Sequence, residues 1–342
     1  MSNENIGSVE ALVVATLGDA AGRATLAMLA IDPALLSQHG ATVSRGAFAM
    51  ALNVALFHDL LHRVPSGAAY VADTLAQGGK VVFDHGALRT IRMAEGPTGA
   101  LPAGQDAFTR IFLPLGYTMA ALYPLDRLRM TGRAYRHVDH PEAIPQFFLS
   151  ELHVDRFDAD FGAAAARIFG TSRDPLDDLA LGVLARYEAN EPVSLDVAIA
   201  ALPVILSAFD RQHEPPGFDD YQLLLSRSNE AAWIATEGNA FNHATDRVAD
   251  VAALADRLKA QDRPMKDRLE ISASGRVRQT AFRADSIDRL FADGEWRRVP
   301  GSFYEFISRD IDPKTGSLDL AFDTGNATGI FAMTSAQESA AR

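Results

Sequence analysis

Two segments of the chain carry the same arrangement of reactive side chains. Phe83-Asp84-His85-Gly86-Ala87-Leu88-Arg89 and Phe241-Asn242-His243-Ala244-Thr245-Asp246-Arg247 both read Phe, Asp or Asn, His, three variable residues, Arg. Each is followed at a similar distance by a glutamate set among apolar or aromatic neighbours. Glu151 lies 66 residues after His85, and Glu305 lies 62 residues after His243. Imidazole nitrogen and carboxylate oxygen are good ligands for Fe(II), Mn(II), Zn(II) and similar ions. Two histidines and one carboxylate on one face leave coordination positions open for a substrate and for O2. His85, His243 and Glu305 are therefore the expected metal ligands.

A single histidine beside aromatics is more often a hydrogen-bonded structural residue, and it is the shared pattern that favours ligation here. Glu305 sits between Tyr304 and Phe306, where a carboxylate is costly to bury unless it is paired or bound to a metal. The same reasoning leaves Glu151 three roles: a fourth ligand, a substrate contact, or the partner of a buried arginine. His153, two residues further along, shares its face. Arg89 and Arg247 each follow a histidine by four residues, a spacing that keeps both side chains on one face of a strand. A guanidinium there can clamp a carboxylate with two parallel hydrogen bonds, so both are candidate substrate contacts, with a plain salt bridge as the alternative. His58 and His62 lack an acid that would complete a metal motif, and His137 and His140 suit a turn. No Gly-x-Ser-x-Gly elbow, phosphate loop or His-Glu-x-x-His helix occurs.

These residues need rigid elements to hold them. A short β-like run, residues 80–83, leads into the first histidine. A helix is expected from Asp106, closed by Gly116, then strands over 117–122, 128–135 and 146–154. The second block repeats the order: a strand at 240–243, a helix over 251–259, and strands over 269–272, 276–282 and 302–309. The expected fold is α+β, with paired βαβββ modules forming a central curved sheet and additional N-terminal and inserted helices. The expected division is 1–78 as an N-terminal helical segment, 79–157 as the first module, 158–235 as a helical insertion, and 236–332 as the second module with a C-terminal segment. The residues after Thr334 are expected to fray.

The bulk properties narrow the function further. Of 342 residues, 32 are Lys or Arg and 44 are Asp or Glu, a net charge of −12. Such a chain repels phosphate backbones and anionic lipid, so neither nucleic acid nor membrane is an expected partner. The absence of cysteine removes thiolate ligands and cysteine nucleophiles. The first residues lack the basic start and apolar run of a signal peptide, and the expected compartment is the cytoplasm.

Four segments together resemble the 2-oxoadipate dioxygenase/decarboxylase (hydroxyglutarate synthase) family of the vicinal oxygen chelate, or glyoxalase-like, superfamily. They are His85-Gly86-Ala87-Leu88-Arg89, Asn242-His243-Ala244-Thr245-Asp246-Arg247, Arg278-Gln279-Thr280-Ala281-Phe282 and Tyr304-Glu305-Phe306-Ile307-Ser308-Arg309. The resemblance implies Fe(II) on His85, His243 and Glu305, with O2 as co-substrate. It implies Arg89 as the substrate-carboxylate arginine and Gln279 on a strand beside the pocket. The implied reaction converts a 2-oxo acid, 2-oxoadipate or one like it, to a shortened 2-hydroxy acid and CO2. The competing expectation is a glyoxalase-like lyase, isomerase or hydrolase using Zn(II), Ni(II) or Mn(II), favoured if Glu151 joins the metal. Members of the family carry more sequence towards the C-terminus, and residues 326–331 are the stretch available here for that part of the pocket wall.

Overall fold

The computed structural model describes residues 6–322. The residues expected to fray, and the stretch 326–331, lie outside that range. The first part of the chain is helical: α1 (Ser8–Leu17), α2 (Asp19–Met28), α3 (Pro33–Leu36), α4 (Arg45–Arg63) and α5 (Pro65–Ala76). The Ala- and Leu-rich stretch from residue 11 is broken at Gly18, whose φ of 85° an L side chain seldom adopts. Ser44 caps α4 by accepting a hydrogen bond from the Ala47 N–H. α4 is buried along most of its length, so it is a core helix.

The first module runs β2 (Phe83–Arg92), α6 (Asp106–Phe112), β3 (Tyr117–Leu125), β4 (Met130–His137) and β5 (Gln146–His153). Five helices follow: α7 (Ala159–Phe169), α8 (Asp178–Glu188), α9 (Leu195–Ser207), α10 (Phe218–Leu225) and α11 (Asn229–Glu237). The second module is β7 (Phe241–Arg247), α12 (Val251–Ala260), β8 (Glu270–Ile271), β9 (Val277–Ala281) and β12 (Phe303–Arg309). A minor antiparallel pair joins β1 (Thr42–Val43) to β6 (Val193–Ser194).

All eight module strands form one sheet in the order β3-β4-β5-β2-β7-β12-β9-β8. β2 and β7 pair antiparallel at its centre, and each has a parallel partner outside it, β5 and β12 respectively. The halves are thus related by a pseudo-twofold axis between the two histidine strands. The expected paired βαβββ architecture is what the chain adopts.

One element was not foreseen. β10 (Ser286–Leu290) and β11 (Trp296–Pro300) form a separate hairpin between β9 and β12. Its charged, weakly alternating strands hide it from a hydrophobic-pattern reading. The turn signal is nevertheless present as Asp293-Gly294, with Gly294 at φ 85°.

The outer face of the sheet is covered by helices and lined by aromatics. Phe112 and Phe147 stack with ring centroids 4.4 Å apart, and Tyr70 of α5 meets Phe306 at 4.7 Å. Gly86 faces this layer. A Cβ there would come within 2.2 Å of the Phe241 ring, so the residue after His85 must be glycine for the central strands to pack. The inner face carries His85 and His243.

Candidate metal centre

Register decides which predicted residues meet. On β7, His243 and Thr245 point to the inner face, and Thr245 is the Cα partner of both His85 and Glu305. One ligand atom each from His85, His243 and Glu305 lies within 4.8 Å of the others, and all three residues are buried. The two Nε2 atoms lie 3.3 Å and 3.5 Å from Glu305 Oε2. Among the described residues no other set of three metal-ligating side chains comes together in this way.

Each histidine is oriented from behind by the residue before it. Between Phe83 and His85 the pairing with β7 shifts by one residue, and this irregularity lets Asp84 lie beside the ring that follows it. Asp84 Oδ1 accepts from His85 Nδ1 at 2.8 Å. Arg309, fully buried, holds Asp84 through Nε and Nη2. A proton kept on Nδ1 leaves Nε2 as the ligand nitrogen, the usual support for a metal-bound imidazole. On the other side, Asn242 faces His243 Nδ1 at 2.9 Å through its amide nitrogen, leaving Oδ1 buried without a partner among the described residues. Amide oxygen and nitrogen are nearly indistinguishable in shape. Half a turn of that amide makes Oδ1 the acceptor of an Nδ1–H. His243 Nε2, also without a partner among the described residues, then directs a lone pair at the site.

The electrostatics agree with ligation. Burial pushes His243 down to about 3, against the pull of Glu305, so it is neutral at ordinary pH. Burial also works against charge on His85, but hydrogen bonds to Asp84 and Glu305 outweigh it and raise its pKa. Glu305 is held below its usual value because His243, His85 and the Thr245 hydroxyl together overcome its burial. Thr245 Oγ1 donates to Glu305 Oε2 at 2.7 Å and fixes the carboxylate. With the Nε2 proton of His85 released on binding, two imidazole nitrogens and one anionic oxygen in a dry site would form a donor set that fits a divalent ion.

Arg89 is fully buried, with its guanidinium 4.8 Å from the Trp233 ring. Burial lowers its pKa to about 10, and the nearby charge of Glu230 opposes the shift. Arg247 Nη1 lies 3.8 Å from Asp84 Oδ2. Gln279 on β9 is buried and donates through Nε2 to Glu270 Oε2 at 3.2 Å.

Glu151 does not join the cluster. It pairs with Thr90, five residues beyond His85, whereas Glu305 pairs with Thr245, two beyond His243. The odd difference puts Glu151 on the outer face. The residue matching Glu305 is Phe148, opposite Ala87, and the residue matching Glu151 is Ser308. Glu151 accepts from the Gln105 N–H at 2.6 Å and pairs with Arg92 and Arg133. Ser308 likewise accepts from the Val251 N–H at 2.8 Å. Each outer-face residue therefore anchors the start of its own module's helix. His153 lies 3.8 Å from Glu151 and 2.8 Å from the Thr131 hydroxyl, also away from the cluster. Glu151→Ala should cost about 2–3 kcal/mol of stability, as expected when buried charge-assisted bonds are lost, and leave metal content unchanged. Urea denaturation and metal analysis of the purified variant check both points.

Several residues around the cluster have no role assigned from the sequence: Asp84, Asn242, Thr245, Arg309, Trp233 and Phe322. Asp84 and Asn242 were in plain view, as the residue before histidine in both repeats. Phe322 stands edge-on to His85 at 4.8 Å and packs on Phe148 at 5.0 Å, covering the inner face. It lies far from the repeats in sequence, and no local pattern marks it.

Comparison with known proteins agrees with this geometry. The 2-oxoadipate dioxygenase/decarboxylase family profile matches residues 54–317, well over half of the chain. The chloroplastic 2-oxoadipate dioxygenase/decarboxylase of Arabidopsis thaliana is 24% identical over 294 residues, covering 75% of this chain and 68% of that protein. The 2-oxoadipate dioxygenase/decarboxylase of Mycobacterium tuberculosis H37Rv is 30% identical over 232 residues, covering 64% and 54%. A crystal structure from Ralstonia eutropha JMP134, described as a glyoxalase superfamily protein, is 49% identical with a TM-score of 0.88, covering 93% of this chain and 99% of that one. The hydroxyglutarate synthase of Oryza sativa, crystallised with 2-oxoadipate, shares the fold at 19% identity and a TM-score of 0.68, covering 88% and 97%. With the profile spanning both histidine strands and the Glu305 strand, the chain belongs to the 2-oxoadipate dioxygenase/decarboxylase family.

Proposed function

We propose that the protein is an Fe(II)-dependent dioxygenase/decarboxylase that converts a 2-oxo acid to a shortened 2-hydroxy acid and CO2. The observation that carries this reading is the buried His85, His243 and Glu305 cluster, with both Nε2 atoms turned toward one carboxylate oxygen. Family membership supplies the reaction type. The outer-face position of Glu151 favours a three-ligand site over the four-ligand arrangement of a glyoxalase-like lyase, isomerase or hydrolase.

A bound Fe(II) would supply Lewis acidity toward the 2-oxo acid and redox chemistry toward O2. The protein's own groups do the rest. Asp84 retains the Nδ1 proton of His85, and Thr245 fixes the Glu305 carboxylate. Arg89, stacked on Trp233, binds and orients a substrate carboxylate. Arg247 adds positive charge to the same face, and Gln279 forms part of the polar wall beside the Glu305 strand. Phe148, Phe303 and Phe322 exclude water. In the overall reaction the C1–C2 bond breaks and C1 leaves as CO2. One oxygen atom of O2 completes a new carboxylate at C2, and the other becomes the hydroxyl on C3.

No described helix is long and apolar enough to cross a membrane, and we place the protein in the cytoplasm. We further assign residues 1–78 as an N-terminal helical segment, 79–157 as the first module, 158–235 as a helical insertion, and 236–332 as the second module with a C-terminal segment.

The test is turnover of 2-oxoadipate by anaerobically Fe(II)-loaded protein on admission of O2. One CO2 per O2 consumed is expected, and the absence of O2 uptake with any 2-oxo acid would refute the assignment. Arg89→Met should weaken substrate binding by about 10- to 100-fold, the loss expected for a charge-assisted bond, while Fe(II) binding stays intact.

A further inference from the structure

The inner face carries a further cationic group that the proposed reaction leaves unused. Arg136 lies on β4, two residues from Ala134, which pairs with Phe148 of β5. It therefore shares the face of Phe148 and His85. It is half-buried, and among the described residues it makes no ion pair. Its one polar contact among them is a long 3.5 Å approach of Nε to Gln146 Oε1. Asp319 is the acid whose charge it feels, but Arg276 already holds that carboxylate at 2.8 Å.

Gln146 supplies the independent observation. It is the Cα partner of His85 and is 1% exposed, yet its Nε2 has no acceptor among the described residues. A buried amide N–H without a partner is uncommon and unfavourable. The pseudo-twofold axis makes its position notable: the matching residue is Phe303, an apolar ring packed on His243 at 4.7 Å. One half of the site thus presents an aromatic ring where the other presents an unsatisfied donor beside a guanidinium. Tyr123 adds a hydroxyl that accepts from the Phe322 N–H at 3.0 Å and so keeps its own proton available to donate.

We propose that Arg136 and Gln146 form an anion subsite that binds the second carboxylate of a dicarboxylic 2-oxo acid and so determines specificity. This rests on the function proposed above and names which substrates it favours. β4 lies two strands from β2, roughly 10 Å at ordinary strand spacing, and the arginine side chain reaches back toward Gln146 across part of that distance. A carboxylate a few methylene groups from the keto acid end can then meet the guanidinium fork and the amide N–H together.

The test compares binding of 2-oxoadipate with 2-oxohexanoate, which has the same chain length but lacks the second carboxylate. Calorimetry is done anaerobically on Fe(II)-loaded protein. The wild type should favour the diacid by at least 30-fold. Arg136→Leu and Gln146→Leu should each lower that preference, Arg136→Leu to less than 3-fold, with monoacid binding changed no more than 3-fold. Arg136→Lys should keep a partial preference, and it decides the matter if the leucine variants fold poorly. An unchanged preference in Arg136→Leu, no preference in the wild type, or failure of the diacid to bind at millimolar concentration overturns the subsite. If the preference behaves as expected but neither acid is turned over with O2, the reaction assignment fails and the subsite stands.

Discussion

His243→Ala should abolish metal uptake and reduce turnover to background while leaving the circular dichroism spectrum essentially unchanged. The asymmetry follows from what the ring contacts. His243 is neutral and fully buried, and its Nε2 has no partner among the described residues. Its packing is chiefly against Phe303. Truncation loses that contact and opens a small cavity, but it also removes a buried polar atom that the protein does not satisfy. These effects oppose each other, so stability should move by no more than about 2 kcal/mol. The metal site has no comparable compensation. Two remaining ligands, His85 and Glu305, cannot hold a divalent ion against chelation by buffer. Metal analysis after dialysis, with the denaturation midpoint measured in parallel, checks both halves. An ion retained at one per chain would remove His243 from the ligand set.

Arg309→Leu gives the largest expected loss of stability. Arg309 and Asp84 form a buried ion pair, with both side chains essentially inaccessible to solvent. Arg309 also donates to the Asp319 and Ala321 carbonyls, each at 2.8 Å, which holds the segment bearing Phe322 over the inner face. Removing the guanidinium strands the Asp84 carboxylate in an apolar interior, a change that typically costs about 3–5 kcal/mol. The consequence reaches the metal site because Asp84 orients His85. Loss of that support should weaken Fe(II) binding about 10- to 100-fold. The exposed pair Arg298 and Asp288, with side chains 65% and 58% accessible, is the control. Arg298→Leu should change stability by less than about 1 kcal/mol. Equal effects from both substitutions would show that Arg309 is only a surface-like tether.

The sequence made the convergence of His85, His243 and Glu305 legible for a physical reason. A strand fixes side-chain direction with period two, so a repeated His-x-x-x-Arg on a strand commits both residues to one face. The duplicated segment also made it plain that two such strands exist, and their pairing at the centre of the sheet brings His85 and His243 together. What the sequence could not supply was register between distant strands. Similar separations of 66 and 62 residues made Glu151 look like the counterpart of Glu305, but loops of different length absorb the offset. A shift of three residues moved Glu151 to the outer face, where it anchors α6, and put Phe148 in the matching position. The same limit hid the long-range supports. Arg309 reaches Asp84 across 225 residues, and Trp233 reaches Arg89 from the inserted helices. By contrast, the Asp293-Gly294 hairpin was visible as a local turn signal, and it escaped because its strands carry charges in place of an apolar stripe.

In the proposed reaction His85, His243 and Glu305 form an open metal site at which O2 reacts with a bound 2-oxo acid. Turnover of 2-oxoadipate under 18O2 tests it most directly. One labelled atom should appear in the new hydroxyl and one in the new carboxylate of the 2-hydroxy acid product, with none in the CO2. A product without label, or one formed equally well without O2, would contradict the claim and indicate non-oxidative chemistry at the same site.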